Sequence, residues 1–444
     1  MNRSFKALQI KRQFLIDKYV VGIDPAKARH QAAIVDRHGM LKGKPFSFSN
    51  SLDGYQNLLR KVKLQTADVN AENIVFAIET ACNLWITLTH YLRHKGYQVV
   101  LVSPLSTKQS RPMIGHDFSR TDPKDALLVA SNAQRGYFDF YRDYSDQVEA
   151  MHSLSISYHK LRKNLVQQRN RIHALLDRCF PEFLKEFSLD SKTACYLLGK
   201  YFLPQHFLAM DMEYESEMIR KLSWGNCGRS NLEKLQERAR QSIAITLDEN
   251  EELSERLALD SWLAMQEVIE KQMESILKHL TELAKQTPYF KILISLKGIS
   301  DTQAALFIAE TRDLAGFNHY KQIEKYAGYS LRQSQSADYV GPRHINHIGN
   351  RRLSLILYKM CEETVKYIPE VRVKFVSRQL SKRCYRKNVV ACSSNLLRLI
   401  MVLVRENRAY QARATQSVKR LMFLEKKYAA LKQLDKVRFG KKVA

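Results

Sequence analysis

The chain has 444 residues, enough for two to four domains that each bury a core. Its 71 Lys and Arg against 45 Asp and Glu leave a formal charge of +26. That excess is far beyond what solubility needs and points to a polyanionic partner, nucleic acid before membrane. No run of about 18 apolar residues stands out as able to span a bilayer. The basic start lacks an apolar stretch followed by a small-residue cleavage site. The seven cysteines are scattered without a CxxC pair, which suits reduced thiols in a cytoplasmic protein, nucleoid-associated if bacterial.

In chain order, YVVGID (19–24) and HQAAIVD (30–36) are short β-branched runs. A turn at Arg37-His38-Gly39 and the alternating LKGKPFSFSN follow, and together they predict a three-strand meander. SLDGYQNLLRKVKLQ (51–65) has helical spacing, with Tyr55, Leu58, Leu59 and Val62 on one face. A strand IVFAIE (74–79), a helix from about Leu84 to Lys95 and a strand QVVLVS (98–103) come next. This order predicts an α/β domain with a mixed sheet over 1–145.

From Met151 the period changes. Met151, Leu154, Tyr158, Leu161, Leu165, Gln168, Ile172, Leu175 and Cys179 alternate at spacings of three and four, a heptad seam with one polar insertion. Ile269, Met273, Ile276, Leu280 and Leu283 repeat that spacing further on, with Trp262 in register. The two runs can pair within one chain or form a bundle between chains, and they define a helical coiled-coil connector over 146–288. Residues 182–250 between them read as irregular, with WGNCGRS (224–230) as the loop.

A mainly helical region follows over 289–444, so the fold class is α/β plus α. LISLKGISDTQAALFIAET (293–311) predicts a helix, a Gly-containing turn and a second helix whose N-terminus offers N–H groups to phosphate, or else a plain helical hairpin. Beyond it, GYSLRQSQSADYVGPRHINHIGNRRL (328–353) sets Ser330, Ser334 and Ser336 among Arg332, Arg343, Arg351 and Arg352. A hydroxyl among guanidinium groups suits contact with, or attack on, a phosphodiester. Residues 371–444 hold 20 Lys and Arg against three acids, with tyrosines and phenylalanines interleaved. Lys382, Arg383, Arg386 and Lys387 in that stretch, like the four loop arginines, are candidates for nucleic-acid backbone contact.

Acids are scarce, which makes their placement informative. Asp24 closes the first strand and Glu79 the fourth, so the two carboxylates can meet at one sheet edge. Asp122 and Asp125 share a helical face in SRTDPKDALLVASNAQRG. They also fit a purely structural role, with Asp122 as N-cap, Pro123 at the first helical position and Asp125 at the positive end of the helix. Four converging carboxylates would need cations among them, and Mg²⁺ is the natural choice for oxygen donors.

YVVGID, FAIET, GYQVVLVSPLSTKQSR and SRTDPKDA resemble the N-terminal domain of the DEDD transposases of insertion sequences. LKGISDTQAALFIAET, KQIEKYAGYSLRQSQS and HINHIGNRRL resemble their C-terminal domain. The resemblance implies a RuvC-like, RNase H-type fold whose metal-binding, catalytic tetrad falls on Asp24, Glu79, Asp122 and Asp125, with Mg²⁺ as cofactor. It also implies a catalytic serine four residues after an arginine, which falls on Ser336 after Arg332. The implied activity is DNA recombination guided by a structured bridge RNA. It proceeds through a covalent phosphoserine intermediate, in dimers that pair into tetramers on donor and target DNA. Ala337, His347 and Ser300 stand where the family pattern has Gly, Lys and Gly. The alternative within the same tetrad is a metal-dependent junction resolvase that hydrolyses DNA, or a site-specific invertase.

Overall fold

A computed structural model describes residues 3–67, 69–113, 121–332, 334–336, 339–381, 384–412 and 416–439. The chain divides into two compact units, Met1–Asp143 and Tyr144–Ala444.

The first unit opens with helix α1 (Arg3–Phe14). Strands β1 (Tyr19–Asp24), β2 (Arg29–Val35) and β3 (Phe46–Ser49) then form the antiparallel meander expected from the β-branched runs. Helix α2 (Leu52–Gln65) leads to β4 (Ile74–Glu79), α3 (Ile86–His94) to β5 (Gln98–Val102), and α4 (Pro104–Ser110) and α5 (Asp122–Gln134) to β6 (Asp139–Phe140). The sheet order is β3-β2-β1-β4-β5-β6, with β1, β4 and β5 parallel and the outer strands antiparallel.

Side chains alternate across a strand, so each strand feeds two cores. Val21 and Ile23 of β1 and Ile74, Phe76 and Ile78 of β4 pack with Leu58 and Val62 of α2 and Leu88 and Leu92 of α3. Val20 of β1 and Val75 and Ala77 of β4 face the other way, onto Val129, Ala130 and Ala133 of α5. By the same alternation Asp24 and Glu79 point to the α5 face.

The second unit opens with α6 (Asp146–Cys179). Five short helices follow: α7 (Phe183–Glu186), α8 (Lys192–Leu198), α9 (Pro204–Leu208), α10 (Met212–Leu222) and α11 (Arg229–Arg240). Residues 182–250 are therefore not irregular. Their helices are too short to display a sustained period, and they enclose a core of their own around Phe180, Phe183, Phe202 and Phe207. Helix α12 (Glu249–Lys285) then runs back along α6. Gln147 donates to the carbonyl of Leu283 (3.1 Å), Arg169 pairs with Glu270 (2.9 Å) and Arg178 with Glu255 (2.8 Å), an order that makes the pair antiparallel. The two heptad runs thus meet within one chain.

Helices α13 (Pro288–Ile294), α14 (Asp301–Thr311) and α15 (Tyr320–Tyr326) precede four two-residue strands. These are β7 (Leu331–Arg332), β8 (Gln335–Ser336), β9 (Tyr339–Val340) and β10 (His344–Ile345). Helices α16 (Arg351–Tyr367), α17 (Pro369–Leu380), α18 (Tyr385–Arg405) and α19 (Gln416–Phe439) complete the unit. The α13–α14 turn contains Gly298 at φ +102°, and Ser300 caps α14 by accepting from the backbone N–H of Gln303 (3.2 Å).

Counter to the sequence expectation, one helix among the described residues is long and apolar enough by composition to cross a membrane. It is α18, with a mean hydropathy of 1.4. Half of that window is buried, and Val389, Cys392, Leu396, Leu397 and Ile400 join the same core as α14 and α16, as a central helix of a bundle does.

Candidate active site

Two adjacent parallel strands place the first two acids. The register that sets Ile23 beside Ile78 sets the next residues, Asp24 and Glu79, side by side at the strand ends. Gly22 brings the third acid in. A Cβ there would lie 2.3 Å from the carbonyl oxygen of Ala126 and 2.4 Å from the amide of Ala130, so only glycine lets α5 rest on β1 this closely. Asp125 immediately precedes Ala126, and it is buried.

The electrostatics of this cluster are frustrated. Glu79 is 7% exposed, and burial, then the charges of Asp24 and Asp125, push its carboxyl up to about 7. Hydrogen bonding with Asp24 raises it further. A guanidinium opposes the repulsion. Arg111, just past α4, donates from Nε to Asp125 Oδ1 (2.9 Å) and from its second terminal nitrogen to Asp125 Oδ2 (3.0 Å). Both side chains are about nine-tenths buried.

Asp122 is not drawn into the cluster. Thr121 takes the N-cap position, and Asp122 lies exposed in the first turn of α5. The structure therefore brings together Asp24, Glu79 and Asp125, and leaves Asp122 at the solvent edge one turn away.

In kind, the donors fit a divalent cation such as Mg²⁺: they are hard oxygens on one sheet face whose mutual repulsion a cation would relieve. In arrangement they are not yet a cage. Among the described residues no three acids, histidines or cysteines are placed to grip an ion, and both Asp125 oxygens are engaged by Arg111.

The serine stretch is a nested β-ribbon. β7 pairs with β10, and inside them β8 pairs with β9, setting Ser336 opposite Tyr339 near the tip. Ser334 and Ser336 are exposed and Ser330 is half-buried, while Ala337 lies outside the described residues. The base of the ribbon is tightly closed. His347 donates its amide to the carbonyl of Gly328 (3.1 Å) and Asn350 donates to that of Tyr326 (2.7 Å). A Cβ on Gly349 would lie 2.5 Å from the Gly328 amide. A recess of about 310 Å³ at this base is lined by Ala327, Gly328, His347, Gly349, Arg351 and Ser354.

Beneath the ribbon lies a polar hub with no counterpart in the sequence expectations. Glu310 of α14 has no exposed surface. It accepts from Ser155 of α6 (2.7 Å), from Nε of Arg352 (2.6 Å) and from Nδ2 of Asn350 (2.5 Å). Burial alone would raise its pKa, but the hydrogen bonds from Arg352, Ser155 and Asn350 outweigh it and hold the carboxyl below its usual range. Asn350 also caps α16, accepting from the amides of Arg352 (3.0 Å) and Leu353 (3.1 Å). His152 and His159 of α6 feel the charge of Glu310, yet burial keeps both below the usual imidazole value.

The basic candidates separate accordingly. Arg332, Arg343 and Arg351 are exposed on or beside the ribbon, and Arg386 and Lys387 are exposed at the start of α18. Arg352 is turned inward to Glu310. Lys382 and Arg383 lie outside the described residues. Arg111 and Glu310 were not singled out in the sequence. The available signals were an arginine ten residues before the TDPKDA motif and an acid near the end of the apolar helix DTQAALFIAET.

With this geometry in hand, the comparisons with known proteins align with both halves. Residues 21–181 match the DEDD transposase model of the IS110 type, described as a transposase. Residues 290–374 match the model described as the transposase IS116/IS110/IS902 family. The chain is 24% identical over 339 residues to the "Mini-circle putative transposase for IS117" of Streptomyces coelicolor, an alignment covering 73% of this chain and 80% of that protein.

Proposed function

Because the chain belongs to the IS110 family of insertion-sequence transposases, enzymes that cut and rejoin DNA, we propose that it does so with two sets of groups. One is a RuvC-like carboxylate site at Asp24, Glu79, Asp125 and Asp122, and the other is a nucleophilic serine at Ser336. The observation that supports the first most strongly is the mutually repelling set of buried Glu79 and Asp125 with half-buried Asp24 in so basic a protein.

A divalent cation held there would neutralise that repulsion and polarise a phosphodiester oxygen. Asp24 and Glu79 would hold it from adjacent strand ends and Asp125 from α5, with Asp122 of the same first turn joining from the solvent edge. Ser336 attacks phosphorus: Oγ gives up its proton as the Oγ–P bond forms, the P–O bond to the leaving sugar oxygen breaks, and that oxygen takes up a proton, so none is gained or lost overall. The phosphoserine ester conserves the bond energy for rejoining. Exposure of Ser336 on a ribbon with a rigid base supports this role, since a nucleophile must reach an extended polymer. Arg332 and Arg343 stabilise the charge that develops on the phosphoryl group. Arg351, Arg386 and Lys387, with Lys382 and Arg383, contact the nucleic-acid backbone, and Arg352 positions the ribbon through Glu310.

A structured guide RNA supplies the sequence specificity, and dimers pair into tetramers on donor and target DNA. RNA sequencing of material that co-purifies with the protein tests the first point; a discrete structured species is expected. The serine is tested by trapping protein–DNA adducts. Wild-type protein is expected to give a covalent complex and Ser336→Ala none. A cleaved product with a free 5′ phosphate and no attached protein would instead assign hydrolysis to the carboxylate site.

A further inference from the structure

We infer that Arg111 is the resident counter-cation of the carboxylate cluster, holding Asp125 while no metal is bound and yielding it when a metal binds. The inference rests on the metal-binding role proposed above for Asp24, Glu79 and Asp125. Three observations carry it. The guanidinium binds Asp125 through two parallel hydrogen bonds of 2.9 and 3.0 Å, the strongest pairing a carboxylate makes with a side chain. Both partners are about nine-tenths buried, so water does not compete for either. Arg111 also lies within the field of Glu79 and Asp24, making it a shared cation of the whole set and not a private partner of one residue.

The pairing explains why a cluster of the right chemistry lacks a ready cage. Each Asp125 oxygen keeps a second lone pair, so Arg111 does not block the atoms outright. It fixes their orientation and cancels the charge that a metal would otherwise use. A cation reaching Asp24 and Glu79 must therefore either share Asp125 with a like charge or take it from Arg111. In both cases Arg111 lowers the affinity of the resting protein for metal. The site stays weakly loaded until something else engages the guanidinium.

The test is a Mn²⁺ titration of the full-length protein, followed by loss of the free-ion paramagnetic resonance signal. Arg111→Gln is expected to bind Mn²⁺ about tenfold more tightly than wild type, as removal of one near, partly screened positive charge implies. Arg111→Lys keeps the charge but loses the fork, and is expected to show a smaller gain; it also serves if the glutamine variant fails to fold. In an Asp125→Asn background the gain from Arg111→Gln should shrink to about twofold or less, because there is no carboxylate left to contest. A gain in affinity is not what simple loss of structure produces.

Equal affinity in wild type, Arg111→Gln and Arg111→Lys would overturn the inference, as would an undiminished gain in the Asp125→Asn background. Asp24→Asn separates the two levels. If it binds Mn²⁺ as wild type does, the metal site itself is wrongly placed. If it loses binding while the Arg111 variants leave binding unchanged, only the role of Arg111 fails.

Discussion

Glu79 and Glu310 are both acids in almost dry surroundings, and they are treated in opposite ways. Glu310 is met by a guanidinium and an amide from the start of α16 and a hydroxyl from α6, and it stays ionised. Glu79 is met by two more carboxylates and is pushed up to about 7, with the nearest guanidinium spent on a neighbour. A buried charge that is fully hydrogen-bonded holds structure together. A buried charge left among like charges is a standing demand for a ligand. On the function proposed above, the cation would belong to the first unit, while the Glu310 hub braces the base of the ribbon.

The largest expected effect concerns the brace. Glu310→Ala leaves the Arg352 guanidinium without its partner and should lower unfolding stability by about 3–5 kcal/mol, read from urea midpoints. The contrast collapses if Glu79→Ala costs the metal-free protein as much. Next is chemistry. Asp24→Asn and Glu79→Gln should each cut strand cleavage in Mg²⁺ by at least about 10²–10³-fold. In EDTA the same variants should melt no lower than wild type, since each removes a repelling charge; nicking of supercoiled plasmid and calorimetry measure the two.

The pH dependence sharpens the contrast by its sign. The folded pKa of Glu79 lies above its unfolded value, so the folded protein keeps a proton that the unfolded chain has lost. Stability of the metal-free protein should therefore fall as pH rises from about 4.5 through about 7, by on the order of 3 kcal/mol relative to Glu79→Gln. Glu310 lies below its unfolded value, so its contribution is complete above about 4.5 and is lost as pH falls below that. The smallest effect is at the cap: Asn350→Ala removes both the cap and a donor to Glu310, should cost about 2 kcal/mol, and should loosen the ribbon base, seen as faster amide exchange at His347.

Much of this arrangement is legible in the residues alone, and the rest is not for identifiable reasons. β-branched runs ending in Asp24 and Glu79 mark strand ends, and a two-residue period fixes the faces those acids take. Heptad spacing in α6 and α12 shows that each seeks a helical partner. It cannot say which partner, and ion pairs such as Arg169–Glu270 supply the antiparallel answer. Asp122 and Asp125 share a helical face by spacing, yet only Asp125 is buried, because the contact at Gly22 draws in the turn that follows Asp122. The Glu310 hub joins Ser155, Asn350 and Arg352 across separations of 155, 40 and 42 residues. No periodicity encodes such distances. The short helices between 183 and 240 escape notice because each ends before a repeat can establish itself.

Helix α18 has one more consequence, for the order of events during synthesis. Its composition is that of a segment a membrane would accept. Its packing partners α13, α15, α16 and α17 all precede it in the chain. When α18 leaves the ribosome the surface that covers it has already been made, so its most water-averse stretch can dock as it emerges. A rearranged chain that delivered α18 first would expose it to aggregation before any partner existed.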